Sequence, residues 1–149
     1  IDDQEIRGRI LETEAYIGKE DQACHARMGK TKRNAPMFKD GGRTYVYLCY
    51  GLYNLLNIVT EQEGDPAAVL IRKIEPLSGN DPELKSYGPG NLTKYLKIDR
   101  TYNDIELGNK LQIVDDGYKP GQIAEKERVG IAYAGESARY KWRFIDEVG

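Results

Sequence analysis

The sequence predicts a single mixed α+β domain, mostly β-strand with few short helices, spanning residues 1–149. Three observations lead there. The chain has 149 residues, 40% hydrophobic and 31% charged, which suits one domain around one core. Period-two alternation and a tyrosine-rich hairpin pattern fill its first half, whereas helical spacing is confined to the segment after Gly88-Pro89-Gly90-Asn91. No internal repeat or low-complexity tract breaks this pattern.

Residues 6–17 alternate as a half-buried strand, with Arg9, Leu11, Thr13, Ala15 and Ile17 on one side and Ile10, Glu12, Glu14 and Tyr16 on the other. Two carboxylates and a tyrosine therefore share a face. Residues 18–40 have no sustained period and carry Gly, Pro and clustered charge, which predicts a long loop with room for a short helix. Between Thr44 and Thr60, two runs of β-formers flank Tyr50-Gly51-Leu52-Tyr53, so a hairpin is expected with Gly51 at an unusual backbone angle. Glu61 to Pro66 reads as a polar turn. The apolar run from Ala67 to Ile74 reads as a buried central strand, with Arg72 at its end. Pro76 to Ser86 is loop-like in composition. Asn91 is a plausible N-cap for a helix carrying Leu92, Tyr95 and Leu96. Leu111 to Val114, Ile123 to Ile131 and Lys141 to Ile145 read as further strands, separated by Asp116-Gly117, Pro120-Gly121 and Gly135.

Composition removes several function classes. The longest apolar stretch, near Ala67 to Ile71, is far short of the roughly 20 residues a membrane helix needs, and nothing resembles a signal peptide. An intracellular protein without a membrane partner is expected. Cys24 and Cys49 read as free thiols rather than a disulfide framework. The formal net charge is -2, which argues against indiscriminate coating of nucleic acid, but the charge is polarised. Residues 27–43 carry Arg27, Lys30, Lys32, Arg33, Lys39 and Arg43 against Asp40 alone, while residues 1–26 hold seven acids against three bases. That basic stretch can grip phosphates or be a solvated loop. Zinc-deaminase, iron–sulfur and phosphate-loop signatures are absent, so no metal and no cofactor are expected.

The residues that can carry chemistry are few. Glu14 is the best placed for a general base, with Glu12 an equal rival on pattern and both open to a plainer reading as acids on an exposed edge strand. Arg72 can anchor Glu14, a phosphate or a water, or snorkel from the sheet rim. His25 is the only imidazole, so any histidine chemistry must use it. Tyr45, Tyr47, Tyr50 and Tyr53 are either ordinary sheet tyrosines or stacking platforms for bases, with Tyr50 exposed at the hairpin tip. Arg33 and Arg43 in the basic stretch, and Lys94 beside the helix start, are the candidates for contacts to a DNA backbone.

These segments resemble the 3-methyladenine, or alkyladenine, DNA glycosylase family. The likeness is carried by Arg9-Ile10-Leu11-Glu12-Thr13-Glu14-Ala15-Tyr16, Ala23-Cys24-His25, Arg33-Asn34-Ala35-Pro36-Met37-Phe38, Tyr45-Val46-Tyr47-Leu48-Cys49-Tyr50-Gly51 and Leu56-Asn57-Ile58. It continues through Ala68-Val69-Leu70-Ile71-Arg72, Gly88-Pro89-Gly90-Asn91-Leu92-Thr93-Lys94, Arg128-Val129-Gly130-Ile131 and Arg143-Phe144, in order across most of the chain. The resemblance implies a curved, mainly antiparallel sheet and a protruding hairpin that enters the DNA minor groove at Tyr50. It implies that Glu14 activates a water positioned by Arg72, which breaks the N-glycosidic bond of an alkylated or deaminated purine and leaves an abasic site. Tyr16, His25 and Tyr47 would wall the pocket for the flipped base, His25 also hydrogen-bonding it, and Asn57 would screen out the exocyclic amine of guanine. The implied partner is double-stranded DNA containing a damaged purine, bound by a monomer. A non-catalytic DNA-binding module of the same fold is the alternative, and a structural or protein-binding β-rich domain is a second.

Departures from the family pattern are Lys32, where proline is common, and an irregular stretch from Ala138 to Lys141. Family members also carry a helix and a strand before the Gly8-Arg9 region. A chain without that segment is expected to unfold more easily than one containing it, and equal thermal midpoints would count against this expectation.

Overall fold

The computed structural model describes residues 5–18, 20–77 and 86–147. Among the described residues six strands form one antiparallel sheet: β1 (Gly8–Ile17), β2 (Arg43–Cys49), β3 (Tyr53–Val59), β4 (Ala67–Pro76), β5 (Ile123–Lys126) and β6 (Arg143–Asp146). Their spatial order is β2-β3-β4-β1-β6-β5. Among the described residues one α-helix, α1 (Pro89–Tyr95), and short 3-10 segments at Ala35–Phe38, Arg100–Tyr102 and Ala132–Arg139 complete the α+β architecture that the alternation predicts.

Alternating side chains give the sheet two apolar faces. Tyr45, Val59 and Ala68 pack with Cys24, Ala26, Met37 and Phe38 of the long loop, with Tyr16 and Tyr47 against the cluster. Val46, Leu56, Ile58, Ile71 and Ile74 pack instead with Leu92 and Ile98, which places α1 over the other face. The residues before β2 thus close one side of the sheet and those after β4 the other. As the loop's composition allows, residues 18–40 contain a short helical turn, and Cys24 and Cys49 are both free.

The β2–β3 hairpin follows the pattern of its sequence, with a turn closed by the Leu52 amide on the Cys49 carbonyl at 3.0 Å. Both central residues are left-handed, Tyr50 at φ 54° and Gly51 at φ 67°, as a mirror-image hairpin turn requires. Glycine accepts this freely. Tyr50 adopts it at a cost of about 1–2 kcal/mol.

Four expectations need correction. Arg72 lies inside β4 rather than at its end, because Glu12 neutralises the charges of Arg72 and Lys73 and lets the strand continue to Pro76. The helix begins at Pro89 with Gly88 as N-cap, so Asn91 sits within it, since a proline at the first helical position has no N–H to leave unpaired. Residues 111–114 form no strand: Ile113 and Val114 are about half exposed and pair with nothing in the sheet. The strand expected over residues 123–131 ends at Lys126, where Arg128 turns inward to Asp21 and the Ala15 carbonyl. The loop expected between Pro76 and Ser86 lies largely outside the described residues.

Candidate active site

A cavity of about 630 Å³ opens where β1, the β2–β3 hairpin, the start of α1 and residues 129–133 meet. Glu14 lies in its lining and is wholly buried. It occupies β1, which runs between β4 and β6, so neither acid is on an edge strand. Its Oε1 accepts a hydrogen bond from the Tyr16 hydroxyl at 2.7 Å, and its Oε2 accepts one from the Val129 amide at 2.7 Å. The Arg72 Nε stands 3.8 Å from Oε2. An ionised carboxylate has about four lone-pair directions, so Glu14 keeps acceptor capacity for another donor.

Glu12 has a different environment. Its Oε2 accepts from Arg72 Nε and from an Arg143 terminal nitrogen, each at 3.2 Å, with the Lys73 ammonium 3.9 Å from Oε1. The two acids that alternation places on one face are thus distinguished by their partners. Glu12 is committed to cations, and Glu14 is held by a hydroxyl and a backbone amide.

The walls are aromatic. Tyr16, Tyr45, Tyr47 and His25 all line the cavity, with the imidazole 4.6 Å from the Tyr47 ring and 5.9 Å from Tyr45 in edge-on arrangements. The His25 Nδ1 and the Tyr45 hydroxyl are 2.9 Å apart. Desolvation against the cavity wall, then the Arg33 charge, hold the imidazole below its usual range even though more than a third of the residue is open to solvent, so it is neutral at pH 7. Burial pushes the Tyr45 phenol up to about 12 and raises Tyr16 and Tyr47 further; for Tyr16 the Glu14 charge and hydrogen bond add to burial. All three phenols are therefore protonated. Tyr16 in particular stays a donor to Glu14.

Local packing explains these positions. Asn34, buried within the basic stretch, donates to the carbonyls of His25 and Gly29 at 2.9 and 3.0 Å and so shapes the loop that presents the imidazole. Asp21 accepts the amides of Ile17 and Ala23 and a two-pronged ion pair from Arg128 at 2.6 and 2.9 Å, both side chains fully buried. The Arg128 guanidinium also lies 4.8 Å from the Tyr16 ring and 5.0 Å from Trp142. That scaffold adjoins Val129, whose amide meets Glu14. Asn57, buried in the lining, donates to the Tyr45 carbonyl at 3.1 Å.

Tyr50 is 91% exposed at the hairpin tip beside the cavity, with Leu52 70% exposed next to it. Arg33 lines the cavity and donates to the Leu48 carbonyl at 3.2 Å; Lys94 on α1 lies 5.1 Å from the Tyr53 ring. Gly90 packs so closely on Tyr53 that a Cβ would fall 2.4 Å from its ring. Arg43 is not brought to this region. It sits at the opposite end of β2 from the tip, ion-paired to Asp104 at 3.0 Å and Glu106 at 3.4 Å.

Eight of the ten site residues that the sequence singles out thus line one cavity, and Lys94 lies beside its lining residue Tyr53. Val129 was missed because it contributes an amide, which no residue type advertises. Arg128 and Asp21 were missed as a pair because 107 residues separate them, although Arg128 opens one of the recognised segments. Tyr133, two-thirds exposed in the cavity lining, carried no motif. Among the described residues no group of three His, Cys, Asp or Glu side chains is placed to hold a metal ion, and no helix is long and apolar enough to cross a membrane.

Residues 1–148 match the family model described as Methylpurine-DNA glycosylase (MPG). The chain is 45% identical over 151 aligned positions to a protein of Methanocella arvoryzae, covering 93% of this chain and 76% of the relative. A relative in Bdellovibrio bacteriovorus is 44% identical, covering 93% and 77%. Another in Borreliella burgdorferi is 44% identical, covering 97% and 81%. All three bear the name "Putative 3-methyladenine DNA glycosylase".

Proposed function

The chain belongs to the methylpurine-DNA glycosylase family, and from that membership we propose how its cavity removes a damaged purine. The enzyme is a DNA-repair N-glycosidic hydrolase. Its partner is double-stranded DNA, bound by a monomer, and the base is extruded from the stack into the cavity between Tyr16, His25 and Tyr47. Tyr50 fills the gap left in the duplex, since stacking on one aromatic side chain is worth about 1–3 kcal/mol. Arg33 and Lys94 contact backbone phosphates near the tip.

A water lodged beside Glu14 and Arg72 loses a proton to Glu14 as its oxygen bonds to the deoxyribose C1′. The bond from C1′ to the purine nitrogen breaks, and its electron pair leaves with the base. Alkylation at N3 or N7 makes the purine cationic, so it departs neutral and is the better leaving group. The same positive charge is attracted to the faces of electron-rich rings. Deaminated purines such as hypoxanthine share the pocket on shape, with the neutral His25 hydrogen-bonding the base edge. Asn57, braced on the Tyr45 carbonyl, crowds the position an exocyclic guanine amine would take.

The observation that carries this reading is Glu14 itself: a fully buried carboxylate in an aromatic-walled cavity, held by two hydrogen bonds and left with acceptor capacity. Cavities of 300–1,000 Å³ are the usual size for small-molecule sites, and about 630 Å³ admits a purine nucleoside. The test is incubation with methylated duplex DNA, scoring free methylpurines and alkali-labile abasic sites. Release of both supports the reading. Salt-dependent binding without release would indicate a binding module, and no binding would remove DNA from the account.

A further inference from the structure

The ladder between β1 and β4 shifts register twice in succession, on either side of Glu12. Pairing runs from Ile10↔Ile74 to Glu12↔Lys73 and then to Thr13↔Ile71, passing over Leu11 and Arg72. Leu11 and Glu12 are consequently both buried in succession, and Arg72 is freed from the ladder to reach the cavity lining. Irregularities of this kind re-aim side chains beside functional sites. Here the re-aimed side chain is the arginine next to Glu14.

Its orientation is set by a different carboxylate. Arg72 Nε is 3.2 Å from Glu12 and 3.8 Å from Glu14. Arg143 repeats the preference: its Cα partner across β1 is Glu14, yet its guanidinium reaches Glu12 at 3.2 Å, while its Nε donates to the Glu127 carbonyl at 2.8 Å. Glu12 is 7% exposed and gathers two arginines and the Lys73 ammonium. Glu14, although fully buried, is left with the Tyr16 hydroxyl, the Val129 amide and one arginine at longer range.

That division has a chemical consequence. An arginine freed beside a buried carboxylate closes onto it as a two-pronged pair, the strongest geometry open to both. With two of the four lone-pair directions of Glu14 already occupied, such a pair would take the remaining two and leave none for a water. Restraint at Nε prevents this.

We infer that Glu12 is a positioning residue for the glycosylase reaction: it tethers Arg72 through Nε, keeps it from pairing directly with Glu14, and so preserves the acceptor site for the water. Glu12 is given no contact with the reacting atoms, and its effect on the reaction runs through Arg72. The inference rests on the reading of Glu14 and Arg72 given above.

A double-mutant cycle tests it, since a residue acting only through another has no effect once that other is gone. Single-turnover base release from methylated duplex DNA and the dissociation constant for lesion DNA are measured for wild type, Glu12→Gln, Arg72→Ala and the double variant. The expected result is release slowed about tenfold or more by Glu12→Gln with affinity changed by less than about twofold, and no further slowing when Glu12→Gln is added to Arg72→Ala. Equal slowing in both backgrounds, or a wild-type rate for Glu12→Gln, overturns the inference. Where Glu12→Gln does not fold, Glu12→Asp runs the same cycle, keeping the charge but withdrawing it by one methylene. Glu14→Gln is the control for the underlying reading. If it still releases base, the base assignment fails; if Glu14→Gln and Arg72→Ala are slow while Glu12→Gln is not, only the Glu12 role fails. A wild-type rate for Arg72→Ala overturns both the role of Arg72 and the tether.

Discussion

The Tyr16 hydroxyl donates to Glu14 Oε1 at 2.7 Å from two residues further along the same strand. Strand periodicity makes the pair neighbours on one face, and burial keeps the phenol protonated. One tyrosine therefore supplies a ring to the cavity wall and a hydrogen bond to the proposed base. Tyr16→Phe separates the two. Removing a hydrogen bond to a charged group costs about 1.5–3 kcal/mol, so base release should slow by roughly 10- to 150-fold while lesion affinity is kept. Lost affinity with an unchanged rate would mean that the hydroxyl serves binding instead.

Tyr50 holds a left-handed backbone angle that favours glycine. Tyr50→Gly should leave folding stability equal or raise it by about 1 kcal/mol in urea titrations, the relieved strain being partly offset by the freer unfolded chain. Affinity for lesion duplex should fall about tenfold or more as the stacking ring is lost. A less stable variant with undiminished affinity would refute the wedge role.

His25 is the only histidine, so its titration can be followed by NMR without ambiguity. The midpoint should lie below the ordinary value of about 6.5. Removing the nearby charge with Arg33→Ala should move it upward, though not past 6.5, because the cavity wall still keeps water from part of the ring. The folded state binds this proton less readily than the unfolded chain. Its share of stability is therefore fully present above pH 6.5 and is lost as pH falls through the lowered midpoint. A midpoint above 6.5 would contradict the described surroundings.

Asp21 and Arg128 form a pair with no exposed side-chain surface, and both hold backbone groups near the cavity. Asp21→Asn leaves a buried guanidinium without its counter-charge, which should destabilise the fold by about 3–5 kcal/mol in chemical denaturation. A loss below about 1 kcal/mol would show that the pair is not the brace described.

Periodicity made much of this molecule legible. Alternation in residues 6–17 placed Glu12, Glu14 and Tyr16 on one face, and the tyrosine runs around Gly51 marked the hairpin. What it could not resolve was which acid does what, because that depends on partners from β4, β6 and residue 129. Charge also misled: Arg72 and Lys73 resembled a strand end only because their counter-ion, Glu12, lies about sixty residues earlier in the chain. Arg43 was grouped with Arg33 by proximity in sequence, yet the course of β2 carries it to the far end, against Asp104. The apolar residues of 111–114 lacked a partner strand, which composition alone does not report.

The most direct measurement is single-turnover base release from a duplex carrying one hypoxanthine, and from methylated genomic DNA, by the wild type and by Glu14→Gln. The account predicts release by the wild type, and binding of the lesion duplex by Glu14→Gln with release reduced by at least about a hundredfold. Release by Glu14→Gln at the wild-type rate would contradict it, and the proton acceptor would have to be sought elsewhere in the cavity.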